Sequence, residues 1–176
     1  MADTGGQDRA GVKKLLEIYS GRLKIQKELK DMSLKMKEEM EKNHEESAEA
    51  VDILTEQRDV LIEKIKEADT AARYGEDLLS EKHTRIIKEV KYAVKNNTEP
   101  APVPEWAGWL YKNLSEYKSG AAEIRALDEK NAETIKILME TIKGKIKGVK
   151  ENKNITSKFS DDFTELSIGT FMNEKK

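Results

Sequence analysis

From Val51 to Val94, alternate steps of three and four residues trace one seam: Val51, Leu54, Arg58, Leu61, Ile65, Ala68, Ala72, Gly75, Leu79, His83, Ile86, Val90 and Val94. Most of these residues are apolar or small, and nearly everything between them is charged or polar. That periodicity is the stripe of a long helix that meets partner helices. Charged residues make up 38% of the chain and hydrophobic residues 37%, so narrow stripes can be buried but a thick core cannot. Elongated helices suit that ratio and a compact α/β enzyme does not. The 3 prolines all fall between Pro100 and Pro104, which leaves the rest of the chain free to run as helix.

Two further stretches supply partners. The first helix is expected from about Asp8, a candidate N-cap, to Lys42. Val12, Leu16, Tyr19 and Leu23 keep the helical spacing, and Ile25, Leu29, Met32, Met36 and Met40 continue it on a drifted face. Methionine fills irregular gaps, so its concentration there fits either a core or a groove for a client. Asn43-His44 is the candidate turn into a second helix over about 45–95, with Glu45, Glu46 and Glu49 favouring its start. The competing reading is one rod through Asn43, more than ~130 Å long, that needs a partner chain along its whole length. Gly75 permits a close approach or a bend.

Asn96 to Pro104 is the clear breaker. A third helix over about 104–150 follows, with the seam Trp106, Leu110, Tyr117, Ala121, Ile124, Leu127, Ile135, Leu138, Ile142, Ile146 and Val149. Gly144 and Gly148 each cost roughly 1 kcal/mol relative to alanine, which predicts fraying after Ile142. Residues 153–176 carry isolated apolar side chains and are expected to be a flexible tail, dispensable for folding. The expectation is an all-α, elongated antiparallel bundle of three long helices, up-down-up, with coiled-coil-like seams over residues 1–152.

The chemistry of a catalytic site is missing. Cysteine is absent, and His44 and His83 lie far apart with no paired ligand at helical spacing. No glycine-rich phosphate loop occurs. An enzyme, a metal site and a cofactor are therefore not expected. A net charge of −2 offers no global field for nucleic acid, although Glu38 to Glu81 is acidic and Lys143 to Lys158 is lysine-rich. The leading residues lack a signal peptide's basic and apolar regions, and no apolar run approaches the ~20 residues of a membrane span. A soluble, cytoplasmic protein is expected. Trp106, Trp109 and Tyr111 form the aromatic cluster, either a staple closing the bundle's end or an exposed anchor.

Two stretches carry a family likeness. One is Glu56-Gln57-Arg58-Asp59-Val60-Leu61-Ile62-Glu63-Lys64-Ile65. The other is Ile124-Arg125-Ala126-Leu127-Asp128-Glu129-Lys130-Asn131, followed by Ile142-Lys143-Gly144-Lys145-Ile146-Lys147. Together they resemble the FlgN/FliT-type flagellar export chaperones, especially relatives from Gram-positive-type bacteria. The proline run and the tryptophans depart from that pattern. The resemblance implies a cytoplasmic helical chaperone that holds the amphipathic C-terminal helix of a hook–filament junction or cap protein and delivers it to the export gate. Its partners would be those flagellar axial proteins and an export-gate component, without nucleic acid or membrane insertion, and the chain would be monomeric or a weak homodimer. Leu61, Ile62, Ile65, Leu127, Ile135 and Leu138 are the expected client-binding residues. The alternative is a structural coiled-coil subunit of a homo- or hetero-oligomer.

Arg58, Arg73, Asp128 and Asn131 are the candidate register residues. If the second and third helices form a hairpin about residue 99 or 100, facing residues have numbers summing to about 199. Asp128 then faces residue 71, within a turn of Arg73, while the same arithmetic about the turn at 43–44 sets Arg58 opposite Leu29 of the first helix, beside Glu28 as its partner.

Overall fold

A computed structural model describes the backbone of residues 4–42 and 45–172, and the side chains of residues 8–42, 47 and 49–150. It is all-helical: α1 (Thr4–Lys42), α2 (Glu45–Asp77), α3 (Glu81–Asn96) and α4 (Glu105–Met172), with no strand among the described residues. No described helix is long and apolar enough to cross a membrane. The chain divides into two compact units, Met1–Asn131 and Ala132–Lys176.

The expected second helix is two helices, not one, because the chain turns at Leu78–Ser80. The Leu79 N–H donates to Glu76 O at 3.1 Å, and the Leu79 side chain enters the core. Ser80 then takes an extended conformation (φ −61, ψ 155) as the N-cap of α3, with Glu81 in the first turn. Gly75 is not the bend. It permits close approach: a Cβ there would sit 3.4 Å from Leu15 Cδ1.

Asp8 is not the cap of α1, which begins at Thr4. Its carboxylate instead accepts the Ser80 N–H at 3.2 Å, so it serves the start of α3. The other end of α3 closes on Asn97, whose left-handed conformation (φ 55, ψ 38) turns its N–H back toward Ala93 O and Val94 O. Thr98 N–H also reaches Ala93 O, at 3.0 Å. Lys118 of α4 adds a cation there, donating to Val94 O, Lys95 O and Asn97 Oδ1 at 2.9, 3.0 and 2.8 Å. A lysine at a helix C-terminus complements the dipole and satisfies otherwise orphaned carbonyls.

Contact ladders give the directions within Met1–Asn131. Tyr19 meets Glu76, Arg22 meets Asp69 and Met36 meets Arg58, so α1 and α2 are antiparallel. Asn43 and His44, the expected turn, lie outside the described residues. Gln26 meets Tyr117, Lys30 meets Glu123 and Ser33 meets Asp128, so α4 runs parallel to α1. His83 lies against Trp106 and Lys118 reaches Val94, so α3 also runs with α4. The Asn97–Pro104 stretch is thus a crossover that carries the chain back to begin α4 beside the start of α3, and not the expected antiparallel hairpin.

Side chains fill this unit in alternating layers. The first is apolar: Val12, Leu15 and Tyr19 of α1, Ala72 of α2, Leu79, then Ile87, Val90 and Val94 of α3 and Ala107, Leu110 and Leu114 of α4. A second apolar layer joins Leu29, Leu61 and Ile124, with Ile25, Met32, Ile62 and Ile65 packed around it. Polar layers lie next to each. Met36 and Met40 are also buried.

In Ala132–Lys176, α4 continues through Gly144 and Gly148, where fraying was expected, and through Lys153, the expected start of a tail, to Met172. A Cβ on either glycine would meet nothing within 4 Å, so neither serves a close contact. Each lowers helix propensity by roughly 1 kcal/mol without breaking the backbone hydrogen bonds, whereas a proline would remove one.

Candidate functional site

Polar groups inside an apolar seam are the feature that a helical stripe does not require. The first such layer centres on Arg22, 8% exposed on α1. Its Nη1 pairs with Asp69 Oδ1 of α2 at 2.5 Å. The guanidinium lies over the Tyr19 ring at 4.8 Å and the Tyr117 ring at 3.8 Å. The two rings desolvate the cation and return part of that cost through their π-faces. Arg22 Nε has no hydrogen-bond partner. Beside it, Gln26 Nε2 donates to Tyr117 O at 2.8 Å. Gly120 makes room for that amide, since a Cβ there would stand 2.8 Å from Gln26 Oε1.

Tyr19 OH donates to Glu76, and Lys91 of α3 donates to the same carboxylate at 2.6 and 2.7 Å. Burial, reinforced by the Glu76 carboxylate, pushes the Tyr19 phenol well above its ordinary pKa. Burial also raises Tyr117, with Arg22 opposing the shift.

The second polar layer corrects the expected register. Asp128 pairs with Arg58, not Arg73: Arg58 Nη2 to Asp128 Oδ2 is 2.6 Å. Nor does Arg58 pair with Glu28; its Nη1 reaches Met36 Sδ at 3.6 Å. Arg73 is exposed. The arithmetic failed because the break at Leu78–Ser80 and the crossover at Asn97–Pro104 separate α2 from α4, so no single hairpin sets their pairing. Ser33 Oγ lies 3.1 Å from both Asp128 Oδ1 and Leu29 O, and its single proton serves one at a time. Asn131 Nδ2 donates to Ser33 O at 2.9 Å. Arg58 Nε and Asn131 Oδ1 are buried without partners.

A third group sits at the start of α3. Ser80 Oγ is 2.8 Å from His83 Nδ1, and Asp8 Oδ2 is 3.3 Å from the same nitrogen. The residue types are those of a nucleophile triad, but a proton relay needs serine and aspartate on opposite ring nitrogens. Here both face Nδ1, so the cluster fastens α1 to α3. Hydrogen bonding from Ser80, helped by nearby His83, holds the Asp8 carboxyl below its ordinary value.

The expected client-binding residues fall in both units. Leu61 is core, 5% exposed between Leu29 and Ile124, with Ile62 and Ile65 partly buried against that layer. Leu127 is half-buried in Met1–Asn131, while Ile135 and Leu138 are half-buried in Ala132–Lys176. Further along α4 a run of apolar side chains is exposed. Met139, Ile142, Ile146 and Val149 are 57, 52, 50 and 55% exposed. Trp106 and Tyr111 pack on the first core layer, whereas Trp109 is 40% exposed.

Sequence reading missed Arg22, Asp69, Glu76, Lys91 and Ser33. For Arg22 and Gln26 a signal existed: they follow Tyr19 by three and seven residues, so they stand on the seam. Comparison with protein-family models, curated proteins and solved structures finds no match to this chain.

Proposed function

We propose that the protein is a helix-binding chaperone, of the flagellar export type that two of its segments resemble. The observation that carries a helix-receiving role is the open aliphatic face of α4 at Met139, Ile142, Ile146 and Val149, continuous in spacing with Ile135 and Leu138. An amphipathic helix recognises such a stripe through residues three and four apart. The flagellar assignment rests on the resemblance. It is supported by the packing together of the two resembling segments, through Arg58 with Asp128 and Leu61 with Ile124. The client would be the C-terminal amphipathic helix of a hook–filament junction or cap protein, held in the cytoplasm and passed to an export-gate component.

The test is titration of the purified chain with synthetic C-terminal helices of such proteins, followed by calorimetry. Saturable binding that Ile135→Asp with Leu138→Asp abolishes, at unchanged helix content, is expected. Failure of every such peptide to bind would overturn the flagellar reading. The other reading is a structural coiled-coil subunit, favoured by the sustained seven-residue spacing along α4. It requires an oligomer that persists on dilution, which sedimentation velocity distinguishes from a monomer or weak dimer.

A further inference from the structure

On α4 of the first unit, the seam that faces α1, α2 and α3 falls at Ala107, Leu110, Leu114, Tyr117, Ile124, Asp128 and Asn131. With Ala121, which is exposed, filling the place between Tyr117 and Ile124, those numbers follow a seven-residue repeat in steps of three and four, the a and d of a coiled coil. Carried forward without a slip, the repeat names Ile135, Leu138, Ile142, Lys145 and Val149. An established helix interface thus continues, in phase, into a stretch where Ile142 and Val149 are 52 and 55% exposed.

We infer that this stretch pairs with a second copy of the chain as a parallel two-stranded coil. Three observations select that occupant. First, Ile135, Ile142 and Val149 at a, with Leu138 at d, are the pattern that favours two parallel strands. Second, the flanks are complementary to themselves. In a parallel pair each e position meets the partner's g position. Here e carries the large Met139 and Ile146, and g carries the small Thr134 and Thr141. The Thr141 hydroxyl is bonded to Ile137 O at 2.9 Å on its own helix, so it needs no partner across the pair. An antiparallel pair would instead set small against small on one side. Third, Lys136, Lys143 and Lys150 stand one position beyond a, outside the contact, so their charges do not oppose each other across the seam.

Lys145 at d is the exception. Its ammonium must snorkel to the edge of the pair, which weakens the dimer while fixing its register. The repeat from Ile135 to Val149 makes this a short pair, roughly 21 Å long. The pair covers the same stripe that the chaperone reading gives to a client helix, so the dimer must open before a client can bind.

The natural chain has no cysteine, so single cysteines report pairing directly. Ile142→Cys in the 176-residue chain should form an intermolecular disulfide under mild oxidation, because equivalent a positions face each other only in a parallel, in-register pair. Ile137→Cys, on the opposite face, is the control. Sedimentation equilibrium of the unmodified chain should show a concentration-dependent dimer, weakened about 100-fold by Ile142→Asp, which removes one buried side chain from each copy. Lys145→Leu should tighten it. A strictly monomeric chain, cross-linking at Ile142→Cys no faster than at Ile137→Cys, or a Lys145→Leu variant that stays monomeric would each overturn the inference. So would cosedimentation of the monomer with phosphatidylserine vesicles in a manner that Ile142→Asp abolishes.

Discussion

Asp128→Ala is the most informative single perturbation. The substitution leaves the Arg58 guanidinium, 13% exposed, facing only a thioether sulfur at 3.6 Å, with Nε already unpartnered. Removing one member of a fully buried pair is destabilising by 3–5 kcal/mol, or roughly that order. Asp128 is 37% exposed, so water screens the pair and admits some hydration to the orphaned cation. The expected loss is therefore about 1–3 kcal/mol. Ser33 adds little to it, because its hydroxyl keeps Leu29 O. Replacing both partners, as Arg58→Met with Asp128→Leu, should restore most of the stability, since the neighbouring layer is Leu29, Leu61 and Ile124. Urea titration monitored by circular dichroism gives the three differences, and a double-mutant cycle isolates the coupling. Lys27 and Glu116, 61 and 55% exposed, provide the control pair, with a coupling within about 0.5 kcal/mol. A loss below ~0.5 kcal/mol for Asp128→Ala would refute the argument, because it would mean that the buried Arg58 is adequately hydrated without its partner.

The shifted phenols predict alkaline sensitivity. Tyr19 and Tyr117 have folded pKa values above their ordinary 10.0, so their contribution is complete below that pH and is lost as pH rises and the unfolded chain ionises first. Urea midpoints measured across that range should fall, and Tyr19→Phe should flatten the fall; an unchanged slope would count against the Tyr19 assignment. Asp8 is lowered, so its contribution is present above the ordinary carboxyl range and is lost as pH falls through its folded value. Asp8→Asn should reduce amide-exchange protection at the start of α3 at neutral pH and leave it unchanged once wild-type Asp8 is protonated. Equal protection in the two proteins at neutral pH would remove Asp8 from that cap.

The helical class was legible because the seam from Val51 to Val94 admits no other regular structure. Its interruption was not. The turn at Leu78–Ser80 contains neither glycine nor proline, and the spacing on either side continues as though the helix were unbroken. A break of that kind is set by tertiary contacts: Leu79 enters the core, and Asp8, far away in sequence, supplies an acceptor for the Ser80 N–H. The proline-rich stretch was correctly read as a breaker, yet its direction was not. A hairpin and a crossover use similar residues, and only Lys118 reaching Val94, with Trp106 beside His83, distinguishes them. The expectation that Asp128 meets Arg73, built on the hairpin, failed with it. Asp128 and Asn131 were legible as polar residues sharing a helix face, but the expected seam ran through Leu127 in place of Asp128, and the identity of their partners depended on the topology.

That topology makes the polar layers intelligible. Apolar seams alone define register weakly in long helices, since sliding one helix by a heptad places another leucine or isoleucine in each hole. In this bundle the connections also leave α2 and α4 without a short loop to align them. The Arg22–Asp69 pair fixes α1 against α2, and Arg58–Asp128 fixes α2 against α4. Asn131 with Ser33, and Gln26 with the Tyr117 carbonyl over Gly120, fix α4 against α1. Each contact joins a different pair of helices or a different height along the same pair. A one-heptad slip would bury Arg22 or Arg58 without its carboxylate, at a penalty larger than the packing difference between the aliphatic layers. Between Ile135 and Val149 the same repeat of α4 presents aliphatic a and d positions interrupted only by Lys145, so the polar residues that fix register inside the first unit give way there to a seam of aliphatic side chains.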